Sequence, residues 1–131
     1  MLNKPSAPPV RQLQRAQVLV LWLPPFIWAA LIFFLSSLPG SAFPSSPFFS
    51  ADKVIHLGIY AVLGYLVGRA LGCYGHPRRV LTVLACCICI LYGVSDEFHQ
   101  SFVPDRSPSL TDIAADIVGS FLGIVTHTRK R

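Results

Sequence analysis

The chain has 131 residues, 53% hydrophobic and only 13% charged, with a mean hydropathy of +0.56. A water-soluble domain carries roughly a quarter charged residues, so this composition excludes one and points to an integral membrane protein. The net charge of +5 does not mark a nucleic-acid binder, because the basic residues form no single patch.

Residues 1–15 are polar, basic and Pro-containing and read as a cytoplasmic N-terminal tail. Residues 16–38 form an apolar run slightly longer than the roughly 20 residues a helix needs to cross a bilayer. A secretory signal has a shorter apolar core of about 7–15 residues, so this run reads as an uncleaved first span. Pro24-Pro25 should kink it, and Trp22 and Trp28 mark interface or packing positions. A Pro/Ser/Phe loop follows from Gly40 to Ser50, at the outer interface.

The second span is expected over residues 53–72, where Gly64, Gly68 and Gly72 repeat the G-x-x-x-G spacing that lets helices approach closely in lipid. Cys73 to Arg79 makes a short basic turn. The third span is expected over 80–100, a short loop over Phe102 to Ser107, and the fourth span over 110–127, with Ala115, Gly119 and Gly123 as another ridge of small residues. Residues 128–131 are a basic tail. The fold class is therefore all-α: one membrane domain over 16–127, a bundle of four helices. Glycine ridges left uncovered by so small a bundle would serve a homo-oligomer or a membrane-protein partner. None of Cys73, Cys86, Cys87 and Cys89 forms a C-x-x-C pair; they read as small hydrophobes rather than a disulfide framework or zinc site.

Lys4, Arg11, Arg15, Arg69, Arg78, Arg79, Arg129, Lys130 and Arg131 lie before the first span, between the second and third, and after the fourth. Only Lys53 and Arg106 fall in the alternate loops. By the positive-inside rule both termini are cytoplasmic.

This topology gathers Asp52, Asp96, Glu97, Asp105, Asp112 and Asp116 at the outer end of the bundle. Ionisable groups in membrane-grade sequence are costly and mark functional sites by default. Ser109 to Asp112 matches the S-x-x-D capping box, and Asp52 behind a Ser50 cap would complement the helix dipole. For these two acids, capping and function are both open readings. Asp96 and Glu97 are different: in the last turn of a helix they oppose the dipole, so they need a cation, a proton or donors from neighbours. Asp116 lies about 6 Å deeper than Asp112, too deep to cap. His56 and Tyr60 follow Asp52 at i+4 steps on one face.

Lys53 and Arg106 either pair with these carboxylates or hold an anionic headgroup, assisted by the outward N-termini of the second and fourth spans. A divalent cation bridging the acids and a phosphate would reconcile an acidic wall with an anionic ligand, with His56 or His99 as a further ligand.

Three stretches carry a family resemblance: L-S-S-L-P-G after the first span, D-K-V-I-H-L-G-I-Y over the second, and Y-G-V-S-D-E-F-H-Q-S-F-V-P-D-R-S-P-S-L-T-D-I-A-A-D-I-V-G over the third and fourth. They resemble the VanZ-like family over about residues 30–125. Position by position, the family motif falls on Asp52, Lys53, His56, Tyr60, Asp96, Glu97, Gln100, Arg106, Asp112 and Asp116, with His99 inside it. The resemblance implies a multi-pass protein of the bacterial cytoplasmic (inner) membrane. It also implies a link to glycopeptide susceptibility, since the founding member lowers susceptibility to teicoplanin.

The resemblance names no reaction. One class of function is an envelope protein whose outer-facing polar pocket engages a lipid-linked or phosphate-bearing component. A second is a metal-assisted membrane enzyme acting on a lipid headgroup, with His56 or Glu97 as general base. A third is proton or ion coupling, and a fourth is a scaffold without a ligand.

Overall fold

The computed structural model describes residues 15–43 and 49–129, with residues 15 and 49–51 given by their backbone alone. The described residues form α1 (Arg15–Ser36), α2 (Phe49–Gly72), α3 (Arg78–Gln100) and α4 (Leu110–Arg129), with one 3-10 turn at Gly40–Ala42 and no strand. All four helices are long and apolar enough to cross a membrane. The 22 residues of α1, at 1.5 Å each, reach about 33 Å, close to the thickness of a hydrocarbon core. The chain is a multi-pass membrane protein.

Local chemistry sets the helix ends. α1 stops at Ser36, two residues short of Leu38. Leu38 precedes Pro39, which disfavours helical backbone there, while the Ser37 hydroxyl donates to the Phe33 carbonyl at 2.6 Å. Pro24 and Pro25 lie inside α1, which continues through them as one helix. α2 begins at Phe49, four residues before the expected start, so Ser50 lies within the helix; its expected cap falls on a side chain outside the described residues. α3 opens directly after Pro77.

α2 and α4 form the central pair, with the most extensive contact in the bundle. The reason is the absence of side chains at three positions. A Cβ on Gly64 would run into the Ser120 carbonyl, one on Gly119 into the Leu57 carbonyl, and one on Gly123 into the Ala61 carbonyl. The small-residue ridges are therefore used inside the bundle, where α2 meets α4, and these three glycines are not an uncovered surface awaiting a second copy.

α3 packs on both α4 and α2, and α1 packs on α2 and α3. α1 is the outlying helix: Leu19, Val20, Leu23, Phe26, Ile27, Phe33 and Phe34 remain exposed, as expected of a face turned to lipid. Hydrogen bonds tie its other face down. Trp28 Nε1 donates to the Ile59 carbonyl at 3.0 Å, and the Tyr92 hydroxyl donates to the Ala29 carbonyl at 2.6 Å. Trp28 is thus a packing residue.

The core changes character along the bundle. Leu63, Val67, Leu71, Leu81, Ala85, Cys89 and Ile124 are buried toward the basic end. The inward stripe of α3 continues from Ala85 and Cys89 to Gly93, Asp96, Glu97 and Gln100, and that of α4 begins with Asp112 and Asp116. The same i+4 spacing that buries apolar groups at one end buries charge at the other.

Candidate functional site

A cavity of about 530 Å³ lies at the acidic end, between α1, α2 and the α3–α4 loop. Its polar lining includes Asp52, Lys53, His56, Tyr60, Asp96, Gln100, Asp105, Arg106 and Asp112; its apolar wall is Ile32, Leu35, Phe43, Ile55 and Ile59. Residues 40 and 105 shape the rim. The Gly40 N–H donates to the Pro104 carbonyl at 3.1 Å, and a Cβ on Gly40 would strike the Asp105 carbonyl. Asp105 itself takes a left-handed conformation, φ 59°, which Asp tolerates better than most residues.

Each buried carboxylate has its own partners. Lys53 bridges Asp112, an ion pair across α2 and α4, and lies 3.7 Å from Asp52. His56 Nδ1 stands 3.0 Å from Asp116 Oδ1, a second link between the same helices. Asp96 accepts from Ser36 Oγ at 2.6 Å and from Gln100 Nε2 at 3.0 Å. These neutral donors answer the problem of an acid at a helix C-terminus.

Glu97 solves the same problem differently. Its Oε2 accepts the backbone N–H of Ser109 at 2.8 Å. In a capping box that N–H would be taken by the acid three residues on, Asp112. Here Asp112 is committed to Lys53, the Ser109 hydroxyl meets Thr111 Oγ1 at 2.7 Å, and the carboxylate that caps the start of α4 comes from α3. The local sequence pattern is present, and a tertiary contact has replaced it.

Arg106 stands apart electrostatically. Its guanidinium lies 4.6 Å from the Phe43 ring centroid and makes only long contacts to the carbonyls of Leu38 and Leu35, at 3.4 and 3.5 Å. Among the described residues no carboxylate comes within ion-pair distance of it. Most of the five donors of its fork stay uncommitted among the described residues, at the cavity wall.

The structure therefore brings together Asp52, Lys53, His56, Tyr60, Asp96, Gln100, Arg106 and Asp112 around the cavity, with Glu97 and Asp116 next to His56. It does not bring His99, whose ring stacks on Phe33 at 4.5 Å and whose Nε2 meets Ser37 Oγ at 3.0 Å. Sequence reasoning did not single out Ser36 as a partner of the acids, and it paired Ser109 with Asp112 where the structure pairs it with Glu97. The signal for Ser36 was present in L-S-S-L-P-G, where polar hydroxyls close an otherwise apolar span.

No curated protein and no solved structure matches the chain. The family model described as VanZ/LLP1 matches residues 8–129, nearly its whole length. The chain belongs to the VanZ/LLP1 family.

Proposed function

We propose that this protein holds an amphiphile of the cell envelope, with an anionic, phosphate-bearing headgroup in the cavity and its chain along the apolar wall. The observation that carries this reading is Arg106, a half-buried guanidinium at a cavity wall with no carboxylate to neutralise it among the described residues. Guanidinium matches phosphate geometry through paired donors. Lys53 lines the same cavity and adds positive potential, though its charge is already offset by Asp112. Ile32, Leu35, Ile55 and Ile59 supply the surface that the first methylenes of a lipid chain would cover.

In this reading the cavity opens to the outer leaflet and both termini are cytoplasmic, in a bacterial inner membrane. The glycopeptide link implied by the family resemblance belongs to the same proposal. A protein that holds a lipid-linked wall component alters what a glycopeptide meets at the cell surface.

The test is native mass spectrometry of the purified protein in mild detergent, wild type beside Arg106→Ala and Arg106→Lys. Losing a charge-assisted pair costs about 1.5–3 kcal/mol, so lipid retention by Arg106→Ala should fall at least tenfold. Arg106→Lys, which keeps the charge but not the fork, should lie between. A wild type that carries no phosphate-bearing lipid, or equal retention by folded Arg106→Ala, overturns the reading.

A further inference from the structure

His56, Glu97 and Asp116 meet where α2, α3 and α4 converge, each offering one ligand atom, with all three atoms within 4.8 Å of one another. Bonds to nitrogen and oxygen of about 2.0–2.2 Å hold two ligands of one Zn²⁺ no more than about 4.4 Å apart, so the three atoms reach one ion with at most a few tenths of an ångström of side-chain adjustment. The 3.0 Å between His56 Nδ1 and Asp116 Oδ1 suits two ligands of one ion about as well as it suits a hydrogen bond.

Independent of the clustering, the polar groups here are short of partners. Glu97 and Asp116 are only 3% and 2% exposed, yet Glu97 Oε1 and Asp116 Oδ2 have no hydrogen-bond partner among the described residues. Tyr60, 1% exposed, has an unpartnered hydroxyl as well. Its ring and Asp116 Oδ2 lie side by side against Gly93, each within 3.4 Å of where a Cβ on that glycine would be. Two carboxylates enclosed in an apolar bundle with lone pairs unspent are a costly arrangement unless a proton neutralises them or a positive charge accompanies them.

We infer that His56, Glu97 and Asp116 form a binding site for a divalent transition-metal cation of the Zn²⁺ or Mn²⁺ class. One imidazole and two carboxylates neutralise a 2+ ion, and the imidazole favours these metals over Mg²⁺ and Ca²⁺, which prefer oxygen. A second trio, Asp52, His56 and Asp112, is the poorer candidate. Asp112 is held by Lys53, and Asp52 is solvent-exposed. The inference uses different atoms from the headgroup reading and does not depend on it.

The experiment loads chelator-stripped, tag-free protein in detergent with Zn²⁺, and separately with Co²⁺ as a spectroscopic probe. Wild type should bind about one ion per chain, gain thermal stability on loading as ligand linkage requires, and show visible Co²⁺ bands of a nitrogen–oxygen site. Glu97→Gln and Asp116→Asn should each weaken Zn²⁺ binding more than tenfold, while Asp52→Asn and Arg106→Ala keep it. The Co²⁺ spectrum and the melting shift are read on wild type, so they decide whether a nitrogen–oxygen site exists even where a Glu97 or Asp116 variant fails to fold, and retention of binding in Asp52→Asn then assigns it to Glu97 and Asp116. Wild type without stoichiometric binding, or binding lost in Asp52→Asn but kept in Glu97→Gln and Asp116→Asn, overturns the site.

Discussion

Two buried hydroxyls on facing helices show how differently the same group can be used. Ser36 donates to Asp96 at 2.6 Å, in a site where both residues are almost wholly buried. Removing it leaves a carboxylate at a helix C-terminus with only Gln100 as a side-chain donor, and a buried acceptor short of a partner costs about 1–3 kcal/mol. The Tyr60 hydroxyl, in contrast, has no partner to lose among the described residues. Thermal unfolding of metal-free protein in detergent should therefore show Ser36→Ala destabilised by about that amount. Tyr60→Phe should be unchanged or raised by up to about 1 kcal/mol, since the desolvated hydroxyl is deleted and the ring packing kept. A large loss in Tyr60→Phe would reveal a partner for that hydroxyl. The acids themselves were legible from sequence, because charge is conspicuous in apolar helices. Their donors were not, because serine is unremarkable there and Ser36 lies 60 residues from Asp96.

At the level of the helix, the glycines between α2 and α4 are not equivalent. Gly64 and Gly123 stand where backbone meets backbone, whereas a Cβ on Gly68 would find His127 and Ile124 at 3.7 Å, ordinary contact. Gly123→Ala must push α4 away from the Ala61 carbonyl, an overpacking cost of about 1–3 kcal/mol. Gly68→Ala should be neutral or stabilising by up to about 1 kcal/mol, because a helical glycine gives up more backbone entropy than alanine. Parallel melts of the two variants check this; equal destabilisation would mean that α2 and α4 are not packed as described. The apolar runs made the helices legible, and the small-residue spacing made close packing legible. The partner of each ridge was not, since spacing fixes a face and says nothing of what covers it. Ser109 shows the same limit. Its capping pattern was readable, but Glu97, twelve residues earlier, reaches that N–H only once α3 and α4 are side by side.

Across the whole molecule, charge is sorted along the bundle axis. Asp96 and Glu97 close α3, Asp52 opens α2, and Asp112 and Asp116 open α4, while Arg69, Arg78, Arg79 and Arg129 all lie at the other ends of these helices. The hydrogen bond from Trp22 Nε1 to the Tyr74 hydroxyl, 3.0 Å, binds the start of α1 to the α2–α3 turn at that basic end. A bundle with this polarity has a preferred direction in an energised membrane, where each elementary charge carried across is worth about 2.3 kcal/mol per 100 mV and basic segments are retained on the cytoplasmic side. The acidic cavity should therefore face outward. In a cysteine-free background, Ser107→Cys, exposed in the α3–α4 loop, should react with an impermeant thiol reagent on intact cells. His76→Cys, exposed in the α2–α3 turn, should react only after the membrane is permeabilised. The reverse pattern would turn the cavity to the cytoplasm. A lipid-linked wall component presented on the outer surface could then no longer be its occupant, whereas the His56, Glu97 and Asp116 site would stand unchanged, because it depends on packing within the bundle and not on the side it faces.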